Sequence, residues 1–203
     1  MTEPTVPWWG LLSATAAPVL LIGGWTVAAA QQRGRFDPVV ETISALAARG
    51  ATDRWIMTAA LTGLGVSHIV TALALRPAAT AGRIVLACGG LATVLVAAFP
   101  LPADDSGSTA HAVSAGAGFL TLALWPALAV RRSARAPAVV RPQVAVPAAA
   151  VLVGVVTWFG IELSADRGYV GLSERAAAGA QAIWPLATVV LARRELAKRR
   201  RNR

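Results

Sequence analysis

The chain of 203 residues is 56% hydrophobic and only 14% charged, with a formal net charge of +9. A soluble domain has about 25% charged residues, and the charges here stand in blocks between long apolar runs, so we expect an integral membrane protein. The basic residues flank these apolar runs, which argues against nucleic-acid binding. The single cysteine, Cys88, excludes an internal disulfide and a cysteine-based metal site.

Six apolar segments, each with about the 20 residues that a helix needs to cross a bilayer, predict six transmembrane helices. They run roughly over residues 8–30, 54–75, 84–101, 111–130, 144–163 and 174–191, within one all-α transmembrane domain over residues 1–203. A basic tail, residues 192–203, follows the last segment. Six spans place both termini on one side, and most basic residues lie there. The positive-inside rule therefore predicts cytoplasmic termini in a multi-pass protein of the inner, or plasma, membrane.

The stretch DPVVETISALAARG, residues 37–50, predicts a short amphipathic helix at the membrane surface between the first two segments. Asp37 is a suitable N-cap, and Gly50 stands where a glycine often ends a helix. Glu41 and Ser44 are three residues apart and therefore neighbour each other beside an apolar stripe. We expect this helix to present a carboxylate and a hydroxyl to the helix bundle.

Acidic side chains gather in three loops on the predicted outer side, where they can converge over a common cavity. A carboxyl group beside apolar walls has a raised pKa, because desolvation disfavours its charged form. Such a group can donate a proton near neutral pH. The candidate catalytic residues are Glu41, Glu174 and Asp104, and we expect Arg175 or Arg54 to pair with Glu41. The alternative is that these acids are solvated and only help to set the orientation.

The candidates for contacts with a substrate carry hydroxyl, imidazole, guanidinium or indole groups: Ser44, His68, His111, Trp125, Trp158, Arg175 and Trp184. His68 lies about 21 Å into the second segment at 1.5 Å per residue, a depth at which ionisable groups usually face the bundle interior. Trp125 and Trp184 also lie deep, where they could stabilise a cation or simply pack between helices. Two histidines are too few for a zinc site, so we expect no metal and no cofactor.

Three phrases of the sequence together resemble a bacterial membrane family catalogued as domain of unknown function 998. In the first, ISALAARG (residues 43–50), the family's pattern is ISALGA-x-G, and Ala47 replaces its usual glycine. The second is similar to the family's Phe-Pro-plus-acid turn before a histidine-led helix, carried by Phe99, Pro100, Asp104 and His111. The third resembles the Gly-Leu-x-Glu-Arg entry to the last helix: Gly171, Leu172, Glu174 and Arg175. The resemblance implies about six membrane helices and no particular activity.

Two functional hypotheses from different classes fit these features. The first is an enzyme for acid-initiated cyclisation or isomerisation of an isoprenoid or lipid, by analogy with small membrane terpene cyclases. Glu41 or Glu174 would then donate the proton, and the three candidate tryptophans would stabilise the cation. The second is a non-catalytic lipid-binding or structural envelope protein. A small transporter and a zinc-dependent lipid hydrolase fit fewer features. The expected partners are a membrane lipid or isoprenoid and, at the basic tail, anionic phospholipid; the oligomeric state stays open.

Overall fold

Seven α-helices organise the part of the chain that the computed structural model describes, residues 5–103, 107–165 and 168–202. They are α1 (Trp8–Ala30), α2 (Ile43–Leu46), α3 (Trp55–Ala74), α4 (Thr80–Ala98), α5 (Thr109–Leu128), α6 (Pro142–Ala165) and α7 (Val170–Arg201), with a 3₁₀ turn at Ala138–Val140. Within the described residues, five of them (α1, α3, α4, α5 and α6) are long and apolar enough to cross a membrane. The described part of the protein is therefore all-helical, and the protein is of the multi-pass membrane type.

The helices follow the predicted segments with displaced ends. The third segment, predicted over residues 84–101, is instead α4 over Thr80–Ala98. It stops before Phe99-Pro100 because a residue that precedes proline disfavours helical geometry. The sixth segment lies inside α7, whose 32 residues span about 48 Å at 1.5 Å per residue. This helix continues through the predicted basic tail as far as Arg201.

The long helices pack in chain order around a ring. Each contacts the next (α1 with α3, α3 with α4, α4 with α5, α5 with α6), and α7 closes the ring between α6 and α1. Arg193 near the end of α7 donates to the Val6 carbonyl at 2.7 Å, so the chain's first described residues lie beside that helix end. We call this the termini end of the bundle. The opposite end, where α7 begins and residues 31–54 connect α1 to α3, is the site end.

Glycines bring α3 and α4 into close contact. A Cβ atom at Gly65 would lie 2.7 Å from a methyl carbon of Val94, and one at Gly90 would lie 2.5 Å from the Gly65 carbonyl oxygen. Small residues allow helix backbones in membranes to approach this closely, and dispersion contacts then stabilise the pair. The two helices are therefore packed backbone to backbone near their middles.

The predicted amphipathic helix over residues 37–50 is wrong in its extent. The backbone makes a turn at Asp37, where the Glu41 amide donates to the Asp37 carbonyl at 2.7 Å, and the helix α2 covers only Ile43–Leu46. Its N-cap is Thr42, whose extended backbone (φ −74°, ψ 159°) interrupts the helix and whose hydroxyl accepts from Ala45. The carbonyl groups that precede Thr42 accept hydrogen bonds from α7, rather than from the amides of a continuous helix.

Candidate functional site

The first turn of α7 fastens the 37–44 loop to the bundle. The Leu172 amide donates to the Val39 carbonyl at 3.0 Å. Gly171 lies so close to the carbonyl oxygens of Pro38 and Glu41 that a Cβ atom there would collide with both. The contact between α7 and the loop therefore requires glycine at position 171 and a free amide N–H at position 172, which explains the Gly-Leu pair at the start of the GLSER phrase.

Arg175, one turn later in α7, also binds the 37–44 loop. Its Nη1 donates to three carbonyl oxygens, those of Pro38 at 2.9 Å, Glu41 at 2.7 Å and Gly171 at 2.9 Å. The guanidinium group also lies over the rings of Trp25 and Phe36, 6.0 and 5.5 Å from their centroids. Three carbonyl dipoles and two aromatic faces compensate the positive charge of this half-buried side chain. Arg175 thus holds the loop rather than lining a cavity.

Glu174 is buried in the same turn, with 4% of its surface exposed. Its carboxylate accepts a short hydrogen bond from the Ile43 amide and a second from the Ser44 hydroxyl at 3.1 Å. These donors lie at the start of α2, some 130 residues away in sequence. A buried carboxylate needs such partners, because burial without them is strongly unfavourable. The structure therefore brings Glu174 and Ser44 together.

Glu174 and Ser44 line two adjoining spaces. The larger, which we call the cleft, is about 450 Å³ and lies between α5 and α6. The smaller, which we call the inner cavity, is about 60 Å³ and lies deeper, among α1, α3, α4, α5 and α7. Both spaces are also lined by Ala115 and Phe119 of α5, so these four residues form the boundary between them. The volume of the cleft is within the range of about 300–1,000 Å³ that is usual for small-ligand sites.

The cleft is apolar along most of its length and polar at one end. Its apolar walls include Phe119 and Phe159, whose ring centroids are 5.0 Å apart. Its polar lining groups come from Thr42, Ser44, Ser108, His111 and Glu174. His111 is buried, and its Nδ1 lies 2.9 Å from the Phe99 carbonyl oxygen, which orients the ring. Side chains at the starts of three helices that are distant in sequence, α2, α5 and α7, thus meet at one end of this space.

His68 lines the inner cavity together with Glu174. It is 1% exposed, and among the described residues neither of its ring nitrogens has a hydrogen-bond partner. Thr93 and Gln181 line the same cavity and were not predicted from the sequence. The spacing of Glu174, Ala178 and Gln181 is the helical pattern i, i+4, i+7, a signal that could have placed Gln181 on the cavity face.

The other predicted site residues that the structure describes lie away from the two spaces. The Glu41 carboxylate accepts from the Asp37 amide at 2.8 Å and closes the local turn. The ion pair expected for Glu41 does not form; among the described residues the ion pair is Arg199–Glu195, at 2.5 Å. Asp104 lies outside the described residues, so its predicted role stays a prediction.

The deep tryptophans pack into the termini end. Trp125 is 1% exposed within the apolar core that also contains Val6 and Val140, and Trp184 packs against that core. Neither residue lines the cleft or the inner cavity. Trp158 on α6 is 37% exposed, and its indole N–H donates to Glu162 one turn later at 3.3 Å. The described residues contain no group of three metal-ligating side chains.

Comparison with known proteins places the chain in a family. The model of a family described as "Protein of unknown function (DUF998)" matches residues 15–191. This match covers most of the chain, so the protein belongs to that family, and the resemblance drawn from the three phrases is confirmed. No curated protein and no solved structure matches the chain.

Proposed function

We propose that this member of the DUF998 family binds a single-chain membrane lipid, such as an isoprenoid, in the cleft between α5 and α6. The apolar chain would lie along Phe119, Phe159 and Leu120, and the polar end would meet Ser44, His111 and Glu174. The observation that carries the proposal is the polarity of the cleft, which has apolar walls and a cluster of hydrogen-bonding groups at one end only. That pattern matches an amphipathic chain.

The position of the cleft supports entry from the bilayer. It lies between two helices that are each apolar enough to span a membrane. Two of its lining residues, Leu120 and Leu163, are 57% and 62% exposed. Exposed leucines on such helices face lipid tails, where they are as well solvated as in a protein core. An apolar chain can therefore pass from the bilayer into the cleft without crossing water.

The charges at the polar end favour an uncharged headgroup. A phosphate placed there would face the Glu174 carboxylate at short range, and Arg175, whose Nη1 donates to main-chain carbonyls, does not line the cleft. Like charges in a region of low dielectric repel strongly. A hydroxyl group, in contrast, can donate to the Glu174 carboxylate, to the Ser44 oxygen, or to Nε2 of His111, whose Nδ1 donates to the Phe99 carbonyl. We therefore expect an alcohol or a similar neutral polar end.

One specific observation favours a second, catalytic version of this function. Glu174 is a buried carboxyl group that lines the same cleft as two aromatic rings, Phe119 and Phe159. A protonated Glu174 could start the isomerisation or cyclisation of an isoprenoid by donating its proton to an alkene, and the rings could stabilise the resulting carbocation. Trp125 and Trp184 take no part in this version, since they lie at the other end of the bundle.

Two glycines of α6 provide a matched test of binding. Gly160 lines the cleft and Gly154 does not, and a Cβ atom at either position would meet nothing within 4 Å. We expect Gly160→Leu to remove at least nine-tenths of the co-purifying lipid, measured by mass spectrometry of protein extracted in detergent. Gly154→Leu should retain it. Equal lipid content in the two variants would show that the cleft is not the binding site.

Turnover separates the binding protein from the enzyme. Membranes that contain the protein would be incubated with polyprenyl alcohols and terminal epoxides, and the products analysed by chromatography and mass spectrometry. A product of unchanged mass and shifted retention that disappears in Glu174→Gln, but not in Glu162→Gln, would support the catalytic version. Lipid binding without any new product would support the binding protein alone.

A further inference from the structure

The inner cavity contains a histidine that the lipid proposal does not use. His68 is 1% exposed on α3, and both of its ring nitrogens are buried without a partner among the described residues. A neutral imidazole carries one N–H donor and one acceptor nitrogen, and each is costly to bury unpaired. His68 lines the inner cavity, which has a volume of about 60 Å³. This space can therefore hold the missing partners.

The polar groups around the cavity leave mainly acceptors for those partners. The Thr93 hydroxyl donates to the Gly89 carbonyl at 2.9 Å, and the Gln181 amide donates to the Phe119 carbonyl at 2.7 Å. The Ser44 hydroxyl donates to Glu174 at 3.1 Å. Each of these side chains still has oxygen lone pairs to offer. A small molecule with two donors and two acceptors, namely water, is the ligand that such a wall can bind.

We propose that the inner cavity is an internal hydration site in which a few water molecules connect His68 to Glu174 and provide a path for a proton between them. The cavity volume is about 60 Å³. One water occupies about 30 Å³ in the liquid and needs at least about 15 Å³ in a cavity, so the cavity accommodates roughly two to four waters. His68 and Glu174 are the two ionisable residues that line the cavity. This inference does not depend on the identity of any lipid.

The transfer balances without a further reactant. A protonated Glu174 gives its proton to the adjoining water, each water passes a proton to the next, and the last water protonates the acceptor nitrogen of His68. Glu174 becomes a carboxylate and His68 an imidazolium, and the waters return to their starting composition. No bond other than O–H and N–H bonds changes. Because Glu174 also lines the cleft, the path would connect the cleft to a histidine deep in α3.

Two alanines give a matched test of hydration. Ala178 lines the inner cavity alone, and Ala112 lines the cleft alone. The protein has two histidines, so the substitution His111→Gln leaves His68 as the single one in ¹⁵N-histidine-labelled protein in lipid bilayers. We expect strong magnetisation transfer from water protons to the His68 ring nitrogens. Ala178→Leu should remove at least half of this transfer, and Ala112→Leu should leave it unchanged.

Two buried glutamates test the connection itself. Glu174 lines the inner cavity, whereas Glu162 on α6 is 6% exposed and lines neither space. In the same labelled protein we expect Glu174→Gln to shift the His68 ring resonances and Glu162→Gln to leave them in place. The proposal is overturned if water does not reach His68 in the parent protein, or if Ala178→Leu has no effect. It is also overturned if the two glutamate variants shift the resonances equally. Should Glu174→Gln fail to fold, the Ala178 and Ala112 pair decides.

Discussion

Gly171→Ala should weaken the attachment of the 37–44 loop to α7. The added Cβ atom would collide with the carbonyl oxygens of Glu41 and Pro38. Both oxygens are main-chain atoms, so they cannot move away by a simple rotamer change. Both also accept hydrogen bonds from Arg175, at 2.7 and 2.9 Å. Relief of the collision must therefore lengthen these bonds.

The magnitude follows from these two effects. Overpacking at a rigid site costs about 1–3 kcal/mol, and the loss of one hydrogen bond to a charged group costs about 1.5–3 kcal/mol. Partial relaxation of the loop reduces the sum, so we expect Gly171→Ala to lower the free energy of unfolding by about 2–4 kcal/mol. For a chain of about 200 residues this corresponds to a decrease of roughly 5–15 °C in Tm.

The control is Gly154→Ala on α6, where a Cβ atom meets nothing within 4 Å. Alanine forms helix better than glycine by about 1 kcal/mol, so this variant should match or slightly exceed the parent Tm. Both variants would be measured by thermal unfolding in the same detergent, with intrinsic fluorescence as the signal. A Tm of Gly171→Ala equal to that of Gly154→Ala would refute the argument that the α7–loop crossing requires glycine.

Two further predictions concern the bundle. Gly65→Ala places a Cβ atom 2.7 Å from a Val94 methyl carbon and should lower stability by about 1–3 kcal/mol in the same assay, whereas Gly23→Ala, in open space, should not. In a Cys88→Ala background, an impermeant maleimide should label Gly34→Cys on intact cells and Asn202→Cys only after permeabilisation, if α7 is a sixth span and the termini are cytoplasmic. Labelling of both cysteines on intact cells would show that α7 does not cross the membrane.

The membrane character of the chain was predictable from the sequence because it depends on local composition. About 20 consecutive apolar residues are needed to span a bilayer, and no tertiary contact is required to recognise them. The family resemblance was equally accessible, because ISALAARG and GLSER are contiguous phrases. The number of spans was harder to predict from the sequence. Glu174, Arg175 and Gln181 make the predicted sixth segment more polar than the other five, and α7 is not among the described helices that are apolar enough to cross a membrane.

The selection among the acidic residues depended on tertiary structure. Glu41 and Glu174 are both carboxylates near predicted helix starts, and no local pattern separates them. The fold buries Glu174 because the first turn of α7 packs on α2, and it leaves Glu41 to close its own turn. The same packing limits α2 to Ile43–Leu46, since Arg175 and Leu172 bind the carbonyls that a longer helix would use.

The aromatic residues give the converse lesson. The depth of Trp125 and Trp184 along their helices was readable from the sequence, but depth does not specify which way a side chain points. Packing directs Trp125 into the core at the termini end and leaves Phe119 and Phe159 as the aromatic rings of the cleft. The sequence by itself thus determined which segments are apolar enough to span a membrane, through hydrophobic length. Only the tertiary structure decided which polar groups share a cavity, because that depends on contacts between residues more than a hundred positions apart.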